Sequence, residues 1–594
     1  MSGVVDEQLW LVPSLDVGAG IDSSAVALFA ERARSVASRF GLATTDEATA
    51  VVEICRRLDG IPLAIELAAS RIASMTVDEI NDRLGSRFKL LVGSRRGLGR
   101  HQTLRHAVAW SYELLDGAEK ALLERCSVFA GGFDLKSACA VTGSAGGDDY
   151  AVLDLLDALV RKSLLVADQS AGRTRFSMLE TIREFAEEQL AASGEADAAR
   201  TAHARYFASR ETEVLSLWDS PRQRQAHEWF ILELPNLRAA FRCAVEHDDL
   251  DSAAALAVYA TFLGFWVNQH EPITWTEEIL KSAQAVQHRK LAQLYVMAAH
   301  CYGTGRMDDF HAHTRAAQEA IDSGRFDEVP DMFDATDHGG YLTTDPASCA
   351  ERCRTRIAHD PDNRPYTRHT LVIALSTAGA TDEAIAVADR VLDIDHSADN
   401  PELQSGALLA YGFAHREDDP AAAYECHRRG LAIASESWNR QIESIHAISL
   451  SRLAATGSNP MEAFTFLTQS LGNLYDSGSF SMMSGPLAVL AGLFDRLAHP
   501  EPAAVIAGFT RGSFASFFYP ELATAIAHLR MVLGDDSYES LARTGETMTA
   551  AQMVTYAYDQ IDQARSKSSS AVDRYDPDHD SIPDDPSSPE TLVP

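Results

Sequence analysis

The residues with the clearest chemical character form a corner at Gly60-Ile61-Pro62, between two apolar runs with helical periodicity. Glycine lacks a Cβ atom, while proline fixes φ and has no N–H, so such a corner lets the backbone approach a flat ligand closely. The same pair of residue types also starts many ordinary helices. The corner therefore predicts either a contact with a planar ring or simply the first turn of a helix.

A phosphate-binding loop is missing from the sequence. No G-x-x-x-x-G-K-[ST] occurs, and the dipeptide Gly-Lys never appears. Such a loop needs its run of backbone N–H groups and its lysine to hold phosphates. We therefore expect no bound cofactor and no enzymatic activity from this chain alone.

A metal site is the other chemistry that the residue types suggest. Cys349 and Cys353 are four residues apart, and His338 and His359 lie nearby in the sequence. No pair of partners has zinc-type spacing, whereas small residues at i and i+4 suit a tight helical hairpin. This favours packing in a core, and we predict no metal ligand.

Five strings of the sequence occur in the order typical of one family. They are L-F-A-E-R-A (28–33), L-D-G-I-P-L-A-I-E-L-A (58–68), H-Q-T-L-R-H-A-V-A-W-S-Y-E-L-L (101–115), S-V-F-A-G-G-F (127–133) and M-L-E-T-I-R-E-F-A (178–186). Together they resemble STAND-type signalling ATPases, the NB-ARC-like family. The relatives of this kind are large bacterial transcriptional regulators, including LuxR-type and cyclase-linked members, and the resemblance covers roughly the first 280 residues.

The resemblance implies roles for two of these strings. In the family a P-loop domain comes first and the proline of the second string lies against adenine, so Gly60, Ile61 and Pro62 would be a remnant adenine-contact motif. Met178-Leu179-Glu180 stands where the family has M-H-D, whose histidine touches the β-phosphate of ADP. Leu179 cannot donate a hydrogen bond, so an ADP-locked switch is not implied, and helical core packing is the other interpretation.

Charge argues against nucleic acid as a partner. The chain has 52 basic and 85 acidic residues, a net charge of −33, which opposes contacts with phosphate or anionic membrane. The predicted winged helix carries Asp154 and Asp157 on the helix before its wing. We expect no direct DNA binding, although one small basic cluster is present, made of Arg161, Lys162, Arg173 and Arg175.

The compartment of the protein is inferred from its cysteines, its first residues and its longest apolar run. Eight cysteines spread thinly suggest no disulfide framework, and the first residues have neither a basic region nor an apolar core. The longest apolar run, 253–267, is shorter than the roughly 20 residues that span a bilayer. A cytoplasmic protein without membrane contact is the simplest expectation.

The pattern along the chain predicts a mostly α protein in which helical hairpins repeat. Helix starts at Pro272, Asp308, Pro346, Asp382, Pro420, Pro460 and Pro500 recur at intervals of roughly 36–40 residues. This period is typical of a tetratricopeptide-like α-solenoid, and a β-hairpin at 163–178 after several helices is typical of a winged helix. The predicted domains are a helical arm at 1–92 that follows the absent nucleotide-binding domain, a winged helix at 93–193, linking helices at 194–249, the solenoid at 250–560 and a disordered acidic tail at 561–594.

Two functional hypotheses follow. The first is a non-enzymatic regulatory protein in signal transduction that binds a protein or peptide partner on the solenoid. The second is an ATP/ADP-dependent switch that regulates transcription and receives its P-loop domain from a separate or upstream polypeptide. The missing Walker lysine favours the first hypothesis.

Overall fold

The protein is described here by a computed structural model. It describes residues 14–37, 40–42, 45–70, 72, 75–84, 108–109, 111–143, 149–162, 164–169, 173–333, 345–360, 364–395, 399–457, 460–480, 482–511 and 519–572. Within these ranges the structure is helical apart from one two-stranded sheet, so the predicted mostly α fold is confirmed. The chain forms two compact units, Met1–Arg210 with Leu232–Ala253, and Glu211–Ile231 with Ala254–Pro594.

The first unit begins with an arm of four helices. They are α1 (Ser24–Val36), α2 (Thr45–Arg57), α3 (Pro62–Ser70) and α4 (Val77–Arg83). Local capping sets two of the starts: the Ser23 side chain accepts from the Val26 amide, and Thr76 and Glu79 form a reciprocal capping box. The four helices bury one apolar core, which includes Phe29, Ile54 and Ile65.

A winged helix follows in the same unit. Its helices are α5 (Gly117–Cys126), α6 (Leu135–Thr142) and α7 (Asp149–Arg161), and its wing is the antiparallel hairpin of β1 (Val166–Asp168) and β2 (Arg175–Ser177). Asp116 and Asp134 cap α5 and α6 through capping boxes. The predicted β-hairpin is confirmed, while Ser163 and residues 170–172 lie outside the described residues.

Further helices complete the first unit. They are α8 (Glu180–Ser193), α9 (Ala196–Ser209) and parts of α11 (Gln223–Glu246) and α12 (Leu250–Trp266). The boundary between the units falls inside α11 and α12, and α10 (Glu211–Trp218) belongs to the second unit.

The second unit is a stack of helical hairpins. Its helices are α13 (Glu271–Ala285), α14 (Leu291–Ala299), α15 (Met307–Asp322), α16 (Pro346–His359), α17 (Pro365–Thr377), α18 (Thr381–Asp395), α19 (Pro401–His415), α20 (Pro420–Glu436), α21 (Arg440–Thr456), α22 (Pro460–Asp476), α23 (Ser484–Arg496), α24 (Pro500–Phe509), α25 (Pro520–Leu533), α26 (Asp535–Glu546) and α27 (Ala550–Val572). A 3₁₀ helix, His300–Thr304, separates α14 from α15. Consecutive helices pack against each other from α13 to α15 and from α16 to α26, and α27 packs against α22 and α24, so the predicted α-solenoid is confirmed.

Helix caps explain the repeat in the sequence. Each of the seven predicted starts falls at the first or second residue of a helix, for example Pro346 in α16 and Pro420 in α20. Asp345 and Asp419 cap these two helices by accepting backbone amides, each at 3.0 Å. Cys349 and Cys353 lie buried on α16 in the apolar core, the packing position that their spacing favoured.

The last helix continues beyond the predicted solenoid boundary. α27 reaches Val572, so residues 561–572 of the segment predicted as a disordered tail are helical. Ile561 and Ala564 are buried against the end of the solenoid, and this burial stabilises the extra turns. Residues 573–594 lie outside the described part. No helix among the described residues is long and apolar enough to cross a membrane.

Candidate functional site

The Gly60 corner is a left-handed turn at the end of α2. Asp59 and Gly60 have φ of 56° and 65°, and the Gly60 amide donates to the Cys55 carbonyl at 3.2 Å. The Leu15 amide donates to the Gly60 carbonyl at 2.9 Å, and a Cβ on Gly60 would lie 2.2 Å from the Leu15 oxygen. The close backbone approach that glycine allows at this corner is thus taken by Leu15 of the same chain.

Pro62 occupies a different position in the corner. It is exposed at the first residue of α3, where its missing N–H costs nothing, while Ile61 is half-buried and packs against the arm core. Gly60 is therefore enclosed by the protein, and the ring of Pro62 is the part of the motif that remains accessible.

The corner is joined to the helix that follows the wing. The Thr181 amide, in the first turn of α8, donates to Asp59 Oδ2 at 3.2 Å. Leu179, at the N-cap of α8, supplies no side-chain acceptor, so Asp59 performs the capping role from 122 residues earlier. The structure thus brings together the Gly60 corner and the Met178-Leu179-Glu180 string.

Sequence reasoning did not identify Asp59 as functional. Its carboxylate binds an orphan amide and also lies at the positive end of the α8 dipole. The visible indication was an aspartate immediately before a glycine at a helix end, a common turn pattern that does not reveal a distant partner.

A second cluster ties the wing to α11. Asn236 Oδ1 accepts from the Ala130 amide at 2.9 Å, and Asn236 Nδ2 donates to the Gly132 carbonyl at 3.0 Å. Glu233, which is 5% exposed, accepts from Asn236 at 2.6 Å and pairs with Arg175 of β2. Arg175 also donates to the Gly132 carbonyl at 2.7 Å. We name these four residues, Arg175, Glu233, Asn236 and Gly132, the wing clamp.

The electrostatics of the wing clamp depend on burial. Burial raises the pKa of Glu233, while Arg175 and Asn236 oppose that shift. A Cβ on Gly132 would lie 3.1 Å from the Phe176 oxygen and 3.3 Å from Arg175 Nε, so glycine lets the strand and the guanidinium approach. The string S-V-F-A-G-G-F at 127–133 thus contacts α11.

The winged helix presents an acidic face on α7. Val152, Leu156 and Leu159 are buried, whereas Asp154 and Asp157 are exposed on the opposite side. In helix-turn-helix proteins that read DNA, one helix of the unit enters the major groove, where phosphates line both sides. Two carboxylates on that surface oppose such docking.

Two of the four residues in the basic cluster near the wing form ion pairs within the protein. Lys162 donates to Glu119 at 2.5 Å, and Arg175 belongs to the wing clamp. These two cations are already neutralised by carboxylates, which reduces the positive potential available to nucleic acid.

Comparisons with known proteins agree with the geometry of the first unit. Residues 115–191 match the family model described as a winged helix-turn-helix domain. The chain is 42% identical over 283 residues to a protein of Mycobacterium tuberculosis named as an HTH-type transcriptional regulator, covering 47% of this chain and 31% of that protein. It is 44% identical over 200 residues to an uncharacterised M. tuberculosis protein, covering 33% of this chain and 49% of the relative.

One solved structure also aligns along the chain. It is a signal transduction ATPase with numerous domains and a tetratricopeptide repeat sensor from Pyrococcus horikoshii, at 13% identity with a TM-score of 0.32, covering 93% of this chain and 74% of that one. A likeness at this level carries no argument about function. The chain spans about a third of the length of the transcriptional regulator that it matches. The resemblance to bacterial transcriptional regulators is therefore confirmed, with residues 115–191 similar to a winged helix-turn-helix domain.

Proposed function

We propose that the chain is a regulatory protein of signal transduction that acts through protein–protein contacts of its solenoid, and that its winged helix makes protein contacts instead of reading DNA. The observation that carries the proposal is the acidic face of α7, where Asp154 and Asp157 are exposed. The engagement of Lys162 and Arg175 by carboxylates supports it.

The solenoid supplies the surface for a partner in this proposal. Stacked helical hairpins create an extended surface that suits a peptide or protein segment. Met531 and Val532 on α25 are 77% and 54% exposed, and methionine is enriched in protein interfaces. The acidic balance of the chain favours a partner with basic or mixed charge.

Site-specific photocrosslinking in cells tests this function on the full chain. A photoreactive residue at Met531 is compared with one at Tyr150, which is 78% exposed on α7 of the first unit. We expect the same partner to be captured in repeated experiments from position 531. If partners are captured only from position 150, the assignment to the solenoid is wrong.

The second candidate function is an ATP/ADP-dependent switch whose P-loop domain comes from a separate or upstream polypeptide, as in LuxR-type or NB-ARC-like regulators. The exposed ring of Pro62 favours it, because an adenine can lie against that ring without disturbing the arm core. The phosphates would have no cradle on this chain, so the chain alone would have no ATPase activity and bind nucleotide weakly at most.

Calorimetry distinguishes the two candidates. ADP and ATP are titrated into the full chain alone and into the chain mixed with the P-loop protein encoded nearest to it. Micromolar binding that needs the second protein and weakens in Pro62→Ala supports the switch. Micromolar binding to the chain alone contradicts the expectation that it lacks a phosphate site.

A further inference from the structure

A cavity of about 370 Å³ lies inside the second unit. Its walls come mainly from the first helices of three successive hairpins, α19, α21 and α23, and from α25. Apolar side chains make up most of the surface, among them Phe413, Leu453, Val489 and Leu493. The volume suits a small organic molecule, since ligand pockets of proteins begin at about 300 Å³.

Three arginines from consecutive hairpins reach this cavity: Arg416, Arg452 and Arg496. Their convergence is unusual for a chain in which 85 acidic residues outnumber 52 basic ones. Arg452 is engaged, because its Nε and Nη2 donate to Glu521 at 2.7 and 3.1 Å. Arg496 donates to the Ala455 carbonyl. Arg416 has a weaker partner than either of these two arginines.

Arg416 is poorly compensated. Its side chain is 32% exposed, and its ion-pair partner in the described part of the chain is Glu417, at 3.7 Å. The Glu417 side chain is 81% exposed, so water screens that contact. Burial, followed by the neighbouring Arg452, lowers the pKa of Arg416, while Glu417 and Glu521 oppose that shift. A desolvated guanidinium with a weak partner gains a strong charge-assisted hydrogen bond when an anion arrives.

The lining also holds three carboxylates, Glu417, Asp495 and Glu521, and two of them have partners other than Arg416. Asp495 accepts from Nδ1 of His528 at 2.8 Å, and Glu521 is held by Arg452 in a two-point contact. His427 also lines the cavity. Burial keeps its pKa well below 6.5, so it is uncharged at neutral pH.

We propose that this cavity binds a small organic anion with one carboxylate, sulfonate or phosphate group on an apolar body. Arg416 pairs with the anionic group, and Phe413, Leu453 and Leu493 contact the apolar body. The site differs from the surface proposed above for a protein partner, because α25 contributes Thr524 and Ala525 to the cavity and Met531 and Val532 to that surface.

Binding of the dye 1-anilinonaphthalene-8-sulfonate to the full chain tests the proposal, because the dye has an aromatic body and one sulfonate. We expect saturable fluorescence that weakens about tenfold in Arg416→Gln, the loss typical of a hydrogen bond to a charged group. Thr524→Trp, a change at an exposed lining residue, should fill the cavity and abolish the saturable phase. Arg428→Gln is the matched control, since Arg428 is exposed on α20 and pairs with Glu425.

Displacement of the dye by two competing ligands distinguishes the contribution of the negative charge from that of the apolar contact. Octanoate should displace the dye at concentrations where octanol does not, and this difference should vanish in Arg416→Gln. Circular dichroism and melting curves establish that each variant is folded. If Arg416→Gln does not fold, the comparison of octanoate with octanol in wild type and Thr524→Trp decides. Binding that is unchanged in Thr524→Trp, or equal displacement by octanoate and octanol in the wild type, overturns the proposal.

Discussion

The carboxylate of Asp59 caps helix α8 by accepting the amide of Thr181 at 3.2 Å. The two residues belong to strings that resemble different motifs of one regulator family, the Gly60 corner and the segment Met178-Leu179-Glu180. In this chain the second string has Leu179 at its centre, and a carboxylate from the arm supplies the polar contact at the helix start. The hydrogen bond from Thr181 to Asp59 thus links the arm to the helix that follows the wing.

The Asp59 cap leads to the first prediction. Asp59→Ala removes the acceptor and places alanine at a φ of 56°, so we expect the first unit to lose about 2–3 kcal/mol of stability. Asp59→Asn keeps an acceptor and tolerates the left-handed conformation, and should cost at most about 1 kcal/mol. Calorimetric melting of the full chain measures both. Asp157→Ala, at an exposed position on α7, is the control. An equal shift in melting temperature for Asp59→Ala and Asp157→Ala would contradict the capping role.

The wing clamp leads to the second prediction. Arg175→Met leaves the Glu233 carboxylate buried without its cation, which should destabilise the first unit by about 3–5 kcal/mol. The double variant Arg175→Met/Glu233→Leu removes both charges and should recover most of that loss. Urea unfolding at pH 7 measures each variant. Because burial raises the pKa of Glu233 and Arg175 opposes that shift, the loss in Arg175→Met should also shrink as the pH falls and the carboxyl takes up a proton.

A matched ion pair in the same unit provides the control for this experiment. Arg32 and Glu66 are 3.1 Å apart, with side chains 48% and 37% exposed. Arg32→Met should cost less than about 1 kcal/mol, because solvent screens the charges of an exposed pair. If Arg175→Met costs no more than Arg32→Met, the wing clamp does not hold the wing.

Local features of the fold could be predicted from the sequence because their causes are local. Ser23, Thr76 and Asp134 cap helices within three residues of themselves, and each was visible as a polar residue before an apolar run. The repeat was visible because five of its seven starts place a proline within the first two residues of a helix. The helical extension to Val572 was not predictable, since it depends on burial of Ile561 by distant parts of the solenoid.

The candidate site could be predicted only in part. The sequence identified Gly60 as a position of close approach, yet it gave no means to tell a ligand from the backbone of Leu15. Asn236 contacts Ala130 across 106 residues of chain, and Arg416 meets Arg452 only after two hairpins stack. Such contacts depend on tertiary packing, which has no periodic trace in the sequence.

The acidic face of α7 leads to the third prediction. Duplex DNA should bind the full chain weakly, without a footprint, and be released at physiological salt. Asp154→Lys/Asp157→Lys reverses the charge of that face and should raise the affinity for duplex DNA in low salt, as measured by fluorescence anisotropy. Glu278→Lys/Glu436→Lys makes the same charge change on exposed solenoid residues. A sequence-specific footprint by the unmodified chain would show that the winged helix does read DNA.

Buried histidines of the second unit are held neutral by their surroundings. Ser405 Oγ donates to the Gly430 carbonyl at 3.0 Å, so it accepts from Nε2 of His446 at 3.1 Å. Nδ1 of His446 then accepts from Nδ1 of His427, also at 3.1 Å. A Cβ on Gly430 would lie 2.2 Å from the His446 ring, so glycine makes room for this chain of hydrogen bonds. A proton on Nδ1 of His446 would remove the acceptor for His427 and disrupt this chain.

Buried histidines in both units lead to the fourth prediction, a loss of stability in mild acid. Burial lowers the pKa of His446 to about 3 and that of other histidines to about 4, namely His203, His227, His270 and His300. The unfolded chain takes up protons near pH 6.5 and the folded chain does not, so stability is constant above that pH and falls below it. Each histidine contributes up to about 1.4 kcal/mol per pH unit between its two pKa values. Urea unfolding at pH 7.5, 6.5, 5.5 and 5.0 should show this slope, and His446→Gln should reduce it by the equivalent of about one proton. Equal stability at pH 7.5 and 5.0 would mean that these imidazoles already take up protons in the folded protein.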